Sequence, residues 1–126
     1  MARVLLVDDD VDLVEMNQLV LAHRGHEVRC AYSAAEAREL LSAERPDVVV
    51  LDVMMESELA GVDLVREIHA RMPDLPIVML SGIHRVKDAA ERFAPHERDL
   101  PVIRFLDKPA TPERVACEIE AILKDR

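Results

Sequence analysis

The chain has no tryptophan, one tyrosine and two phenylalanines. Tyr32, Phe93 and Phe105 are too scattered to interleave with a basic stripe, as a nucleic-acid platform requires. Positive charge is short as well: 16 Lys and Arg face 25 Asp and Glu, a formal net charge of −9. That balance repels a phosphate backbone, so direct nucleic-acid binding is not expected. Only Cys30 and Cys117 carry thiols, far apart and without Cys-x-x-Cys or Cys/His ligand spacing. They read as small core residues of a reducing compartment, not as a bridge or a zinc site. No hydrophobic run approaches the ~20 residues of a membrane span. No signal-peptide pattern opens the chain, where Met1-Ala2-Arg3 leads straight into the apolar Val4 to Val7. The expected setting is the cytoplasm, away from any membrane.

What is present suits one domain. Half of the 126 residues are hydrophobic, enough to build a single core over residues 1–126 without a disulfide or structural metal. Short β-branched runs recur at residues 3–7, 27–31, 47–51, 76–80 and 101–106. Continuous apolar runs of this length suit strands covered on both faces of a parallel sheet. Helical spacing fills the gaps. Leu13, Met16 and Val20 mark a first helix that Gly25 can end in a left-handed cap. Ser33 and Glu36 form a capping box before Ala37, Leu40 and Leu41, and Pro46 lies beyond. Leu64, Val65, Ile68 and Met72 stripe a third helix stopped by Pro73. Residues 83–93 can form a fourth, followed by an irregular stretch to Pro101. Thr111-Pro112 starts the last helix, with Val115, Ile119 and Ile122 inward. The alternation predicts an α/β fold, an open five-stranded parallel sheet with helices on both faces.

In such sheets ligands bind beyond the carboxyl ends of the strands, where the strand order reverses. Four of the five expected strands end in reactive groups: Val7-Asp8-Asp9, Leu51-Asp52, Leu80-Ser81-Gly82 and, after the fifth, Asp107-Lys108-Pro109. Each has a plainer reading alone: a helix-starting turn, a strand-end cap, an ordinary turn, a solvated lysine. Those readings do not explain why all four stand at sheet ends. Three carboxylates gathered in one place repel each other, and a hard divalent cation such as magnesium relieves the repulsion while binding phosphate. His84 and His96 read as surface histidines, and Met54-Met55 as packing.

The segments Val4-Leu5-Leu6-Val7-Asp8-Asp9-Asp10, Val48-Val49-Val50-Leu51-Asp52, Pro76-Ile77-Val78-Met79-Leu80-Ser81-Gly82 and Phe105-Leu106-Asp107-Lys108-Pro109 resemble the response-regulator receiver family over essentially the whole chain. The resemblance implies the flavodoxin-like (βα)5 fold with strand order 2-1-3-4-5. It implies that Asp52 is the phosphoacceptor, a carboxylate nucleophile. Magnesium would be held by Asp9 directly, by Asp8 mainly through water, and by Asp52 and the Met54 carbonyl. Lys108 would pair with the phosphoryl oxygens. Ser81 would be the switch hydroxyl and Phe105 the switch aromatic, with the Lys108–Pro109 bond cis. The implied donor is a sensor histidine kinase or histidine phosphotransfer protein, and the output an unidentified protein target. The implied chemistry is self-catalysed phosphorylation and slow hydrolysis, without turnover of an external substrate.

The chain departs from the family pattern twice. Glu56 and Ala60 stand where proline and glycine are common, with Gly61 one later, and the stretch between Ser81 and Lys108 is about five residues longer than the common spacing. Partner recognition and the output surface, expected in residues 83–105, are the properties these changes affect. Two rivals remain in view. A pseudo-receiver regulated by protein contact alone would not need Asp8, Asp9, Asp52, Ser81 and Lys108 together. A haloacid-dehalogenase-like phosphatase needs an acid two residues after its nucleophile, where this chain has Met54. The lack of a linker after Leu123 favours a stand-alone regulator.

Overall fold

The computed structural model describes residues 2–52, 58–82, 104–108 and 111–124; for 52, 58–62, 81–82 and 104–108 it describes the backbone placement only. The strands are β1 (Arg3–Val7), β2 (Glu27–Ala31), β3 (Val48–Asp52), β4 (Ile77–Gly82) and β5 (Arg104–Lys108). The helices are α1 (Val11–His23), α2 (Ala34–Ala43), α3 (Glu58–Arg71) and α4 (Pro112–Lys124). All pairings are parallel: β1 lies between β2 and β3, β4 pairs the far side of β3, and the β5 backbone runs beside β4. The helix expected at 83–93 lies outside the described residues, as do Glu56, His84, His96 and Pro109.

Strand alternation sorts the apolar residues onto two faces. Leu5, Val7, Val49, Leu51, Ile77 and Met79 face one core with Ala37, Leu41, Leu64, Val65 and Ile68 of α2 and α3. Val4, Leu6, Val48, Val50, Val78 and Leu80 face the other, with Val14 and Leu21 of α1 and Val115, Ala116, Ile119 and Ile122 of α4. Two covered faces explain why β3 reads Val-Val-Val-Leu with no polar interruption. The edge strand β2 is different: Glu27 and Arg29 are exposed, since only one of its sides is paired.

Local chemistry sets the helix ends. Gly25 has φ +92°, its N–H donates to Ala22 O, and His26 N–H donates to Leu21 O; these two bonds make a Schellman motif, one form of the left-handed cap expected at Gly25. Ser33 Oγ accepts from Glu36 N–H at 3.1 Å while the Glu36 carboxylate accepts from Tyr32 N–H at 2.8 Å. Thr111 Oγ1 caps α4 through Arg114 N–H at 3.1 Å.

Two expectations fail. The inward face of α1 is Val14, Asn17 and Leu21, whereas Met16 is 54% exposed. Apolar residues surround this helix, so periodicity alone does not select a face. Cys117 is exposed and so is not a core residue, while Cys30 is half-buried and packs only against the margin of the core. The Val115, Ala116, Ile119, Ile122 stripe leaves Cys117 outside the α4 core contact.

Candidate phosphoacceptor site

Asp8, Asp9, Asp52, Ser81 and Lys108 all stand at the carboxyl edge of the sheet, and Phe105 lies further back in its strand. Val7 pairs with Leu51, so Asp8 and Asp52 follow at the same level on adjacent strands, whose spacing is about 4.8 Å. Asp52 pairs with Leu80, Ser81 with Asp107, and Gly82 with Lys108. Asp52 ends β3 and Ser81 is the last residue but one of β4, as expected, but Asp107 and Lys108 lie within β5 and not after it. Pairing with the longer β4 carries the fifth strand through Lys108. Phe105 is in the same strand, opposite Met79. Met54 lies outside the described residues.

The turn after β1 is the part of the site with described side chains. Asp8 is 5% exposed, its N–H donates to Ala31 O at 3.1 Å, and its Oδ1 accepts from Asp10 N–H at 3.0 Å. Asp9 is exposed. Asp10 is the N-cap of α1, its Oδ1 accepting from Leu13 N–H at 3.2 Å. The helix-starting role lies with Asp10, one residue past the Asp8-Asp9 pair for which the plain reading offered it.

Among the described residues no three side chains of metal-binding type form a cluster, because Asp8 and Asp9 are the two of the expected set whose side chains are described. Their donor set nevertheless fits magnesium. It is all hard oxygen, it includes a nearly buried carboxylate, and the Asp52 backbone adjoins it on the neighbouring strand.

Other features escaped the sequence reading. Val11, Met16 and Leu19 are 47%, 54% and 72% exposed, an apolar surface on the helix that leaves the site. The surplus of apolar residues on α1 was its signal. At the opposite edge of the sheet, Glu120 of α4 accepts from Arg24 Nε at 2.9 Å and from His26 Nε2 at 2.9 Å. His26 Nδ1 accepts from Ala2 N–H at 3.2 Å, which leaves Nε2 as the donor. Arg24 and then His26 hold the Glu120 carboxyl down at about 2. No sequence spacing announces contacts between residues so far apart.

Residues 4–120 match the family model of the response regulator receiver domain. Response regulator MprA of Mycobacterium ulcerans is 34% identical over 122 residues, covering 97% of this chain and 50% of that protein. The chain thus spans about half the length of the mycobacterial relatives it matches. The receiver domain of NtrX from Brucella abortus superimposes with a TM-score of 0.82 at 31% identity, covering 98% of this chain and 99% of that one. A CheY-like receiver from Methanospirillum hungatei shares the fold alone, with a TM-score of 0.86 at 22% identity. No helix among the described residues is long and apolar enough to cross a membrane. With its flavodoxin-like parallel sheet and the family match over nearly its whole length, the chain belongs to the response regulator receiver family of two-component signalling.

Proposed function

We propose that the chain is a phosphorylation-controlled switch whose phosphoacceptor is Asp52. The observation that carries this reading is the pairing of Val7 with Leu51, after which Asp8 and Asp52 follow on neighbouring strands, with Ser81 and Lys108 near the ends of the next two. Asp8, Asp9, Asp52 and the Met54 carbonyl would hold magnesium, which when bound supplies positive charge against the carboxylates and the incoming phosphoryl group.

The remaining work falls to the chain. A carboxylate oxygen of Asp52 attacks phosphorus as the bond to the donor nitrogen breaks, giving an acyl phosphate. The Lys108 ammonium pairs with the phosphoryl oxygens. The Ser81 hydroxyl then donates to one of them, Phe105 turns inward behind it, and the altered surface selects a protein target. The full open (βα)5 sheet with order 2-1-3-4-5 and a single domain over residues 1–126 belong to this reading, as does output without DNA contact. Receiver domains are signalling modules, and the chemistry proposed is self-phosphorylation and self-hydrolysis only.

The donor is a sensor histidine kinase or histidine phosphotransfer protein. The exposed Val11, Met16 and Leu19 support a protein donor docking on α1, because that helix starts two residues past Asp9 and leads away from the site. Incubation with magnesium and acetyl phosphate tests the chemistry. One hydroxylamine-labile phosphoryl group per chain is expected, absent when EDTA removes the metal. An unlabelled chain would leave the pseudo-receiver reading.

A further inference from the structure

Asp10 adjoins the carboxylates assigned to magnesium, yet its own carboxylate is committed to the helix. Three hydrogen bonds meet on this residue. Its N–H donates to Asp8 Oδ1 at 3.0 Å, its Oδ1 accepts from Leu13 N–H at 3.2 Å, and its carbonyl accepts from Val14 N–H at 3.1 Å. Its backbone, φ −84° and ψ 100°, has the extended shape an N-cap requires. One bond enters the nearly buried Asp8 carboxylate and the other two enter the first turn of α1. That turn is itself fixed, because Val14 is buried against the sheet and Leu21 anchors the far end. The Asp8 carboxylate is therefore oriented by a residue whose position the helix sets.

We propose that Asp10 is a positioning residue of the phosphoacceptor site: its cap on α1 holds the Asp8 carboxylate and the Asp9 turn in the arrangement that binds magnesium, and its charge is not required. The inference rests on the reading that Asp8 and Asp9 hold the metal. Cap and charge can be separated chemically. Asparagine caps a helix as well as aspartate does and keeps the Oδ1 acceptor without the negative charge, whereas alanine loses both.

Calorimetric titration of the whole chain with magnesium gives the test, on wild type, Asp10→Asn, Asp10→Ala and Ser33→Ala. Ser33 makes the same kind of cap on α2, outside the site, and so controls for general loss of helix stability. Asp10→Ala should bind about fivefold more weakly, the factor that loss of one cap corresponds to. Asp10→Asn should stay within about twofold of wild type. Ser33→Ala should lower the melting temperature and leave the affinity unchanged. If Asp10→Ala does not fold, Asp10→Gly, a milder loss of the cap, takes its place with the same expected direction. The proposal is overturned if Asp10→Ala binds like wild type. It is also overturned if Asp10→Asn is as weak as Asp10→Ala, which would make charge the cause, or if Ser33→Ala weakens binding equally. Wild type that binds no magnesium would overturn the metal site itself along with it, a result distinguishable from all of these.

Discussion

Arg24 grips Glu120 across the seam between α1 and α4, its Nε donating to Oε2 at 2.9 Å while Nη2 reaches Oε1. The bond holds the Glu120 carboxyl at about 2, below its ordinary 4.5. A depressed carboxyl contributes stability that is present above its unfolded value and lost as the pH falls through the folded one. Wild type should therefore melt above Glu120→Gln near neutrality, and the gap should close between pH 4.5 and 2. Side chains a third exposed keep the effect modest. Melting curves of both proteins across that range give the comparison, and a gap that widens with acid would contradict it.

Asn17 puts a polar group into the α1 core contact. It is 4% exposed, Nδ2 donates to Leu13 O at 3.0 Å, and among the described residues Oδ1 has no hydrogen-bond partner. A buried acceptor without a partner costs about 1–3 kcal/mol. Asn17→Leu keeps the branched shape with bulkier ends and should raise stability by about 1–2 kcal/mol where the contact accommodates them, read from denaturant midpoints at constant slope. A lower midpoint would mean that Oδ1 is satisfied in solution.

On the proposed metal site, magnesium should raise the melting temperature, because it would bind the native fold and not the unfolded chain. Asp9→Ala should lose most of that rise. Removing one of several mutually repelling carboxylates should also leave the metal-free protein no less stable. A full magnesium response in Asp9→Ala would place the metal elsewhere.

Leu19, at 72% exposure, is the most exposed large hydrophobic residue described. If a kinase docks on α1, Leu19→Asp should slow phosphotransfer from that kinase about tenfold, the loss of one good apolar contact at an interface. Phosphorylation by acetyl phosphate should be unchanged, since the small donor makes no such contact. Equal slowing with both donors would show damage to the site and not to docking.

What the sequence disclosed depended on how many constraints acted on each residue. Val48 to Leu51 is covered on both faces, so burial forces an apolar run that reads directly as a central strand. Gly25, Ser33 and Thr111 are legible because a cap needs one residue type at one place. The face of α1 was not legible: Met16 and Leu19 carry apolar side chains into solvent while Asn17 is buried, the reverse of what hydrophobicity alone predicts. Cys117 escaped for a similar reason, since a thiol tolerates either environment. At the proposed site Asp8, Asp9 and Asp52 stand out as acids at strand ends, and Asp10 before Val11 suits a cap by residue type, but the bond that ties this cap to the Asp8 carboxylate is visible only in the structure. The register that sets Asp8 beside Asp52 depends on pairing between strands some forty residues apart.

The central claim is that Asp52 receives the phosphoryl group. Its most direct test is intact-protein mass spectrometry after incubation with magnesium and acetyl phosphate, comparing wild type, Asp52→Asn and the exposed-surface control Asp74→Asn. One phosphoryl mass is expected on wild type and on Asp74→Asn, and none on Asp52→Asn. Equal labelling of all three proteins would contradict the assignment.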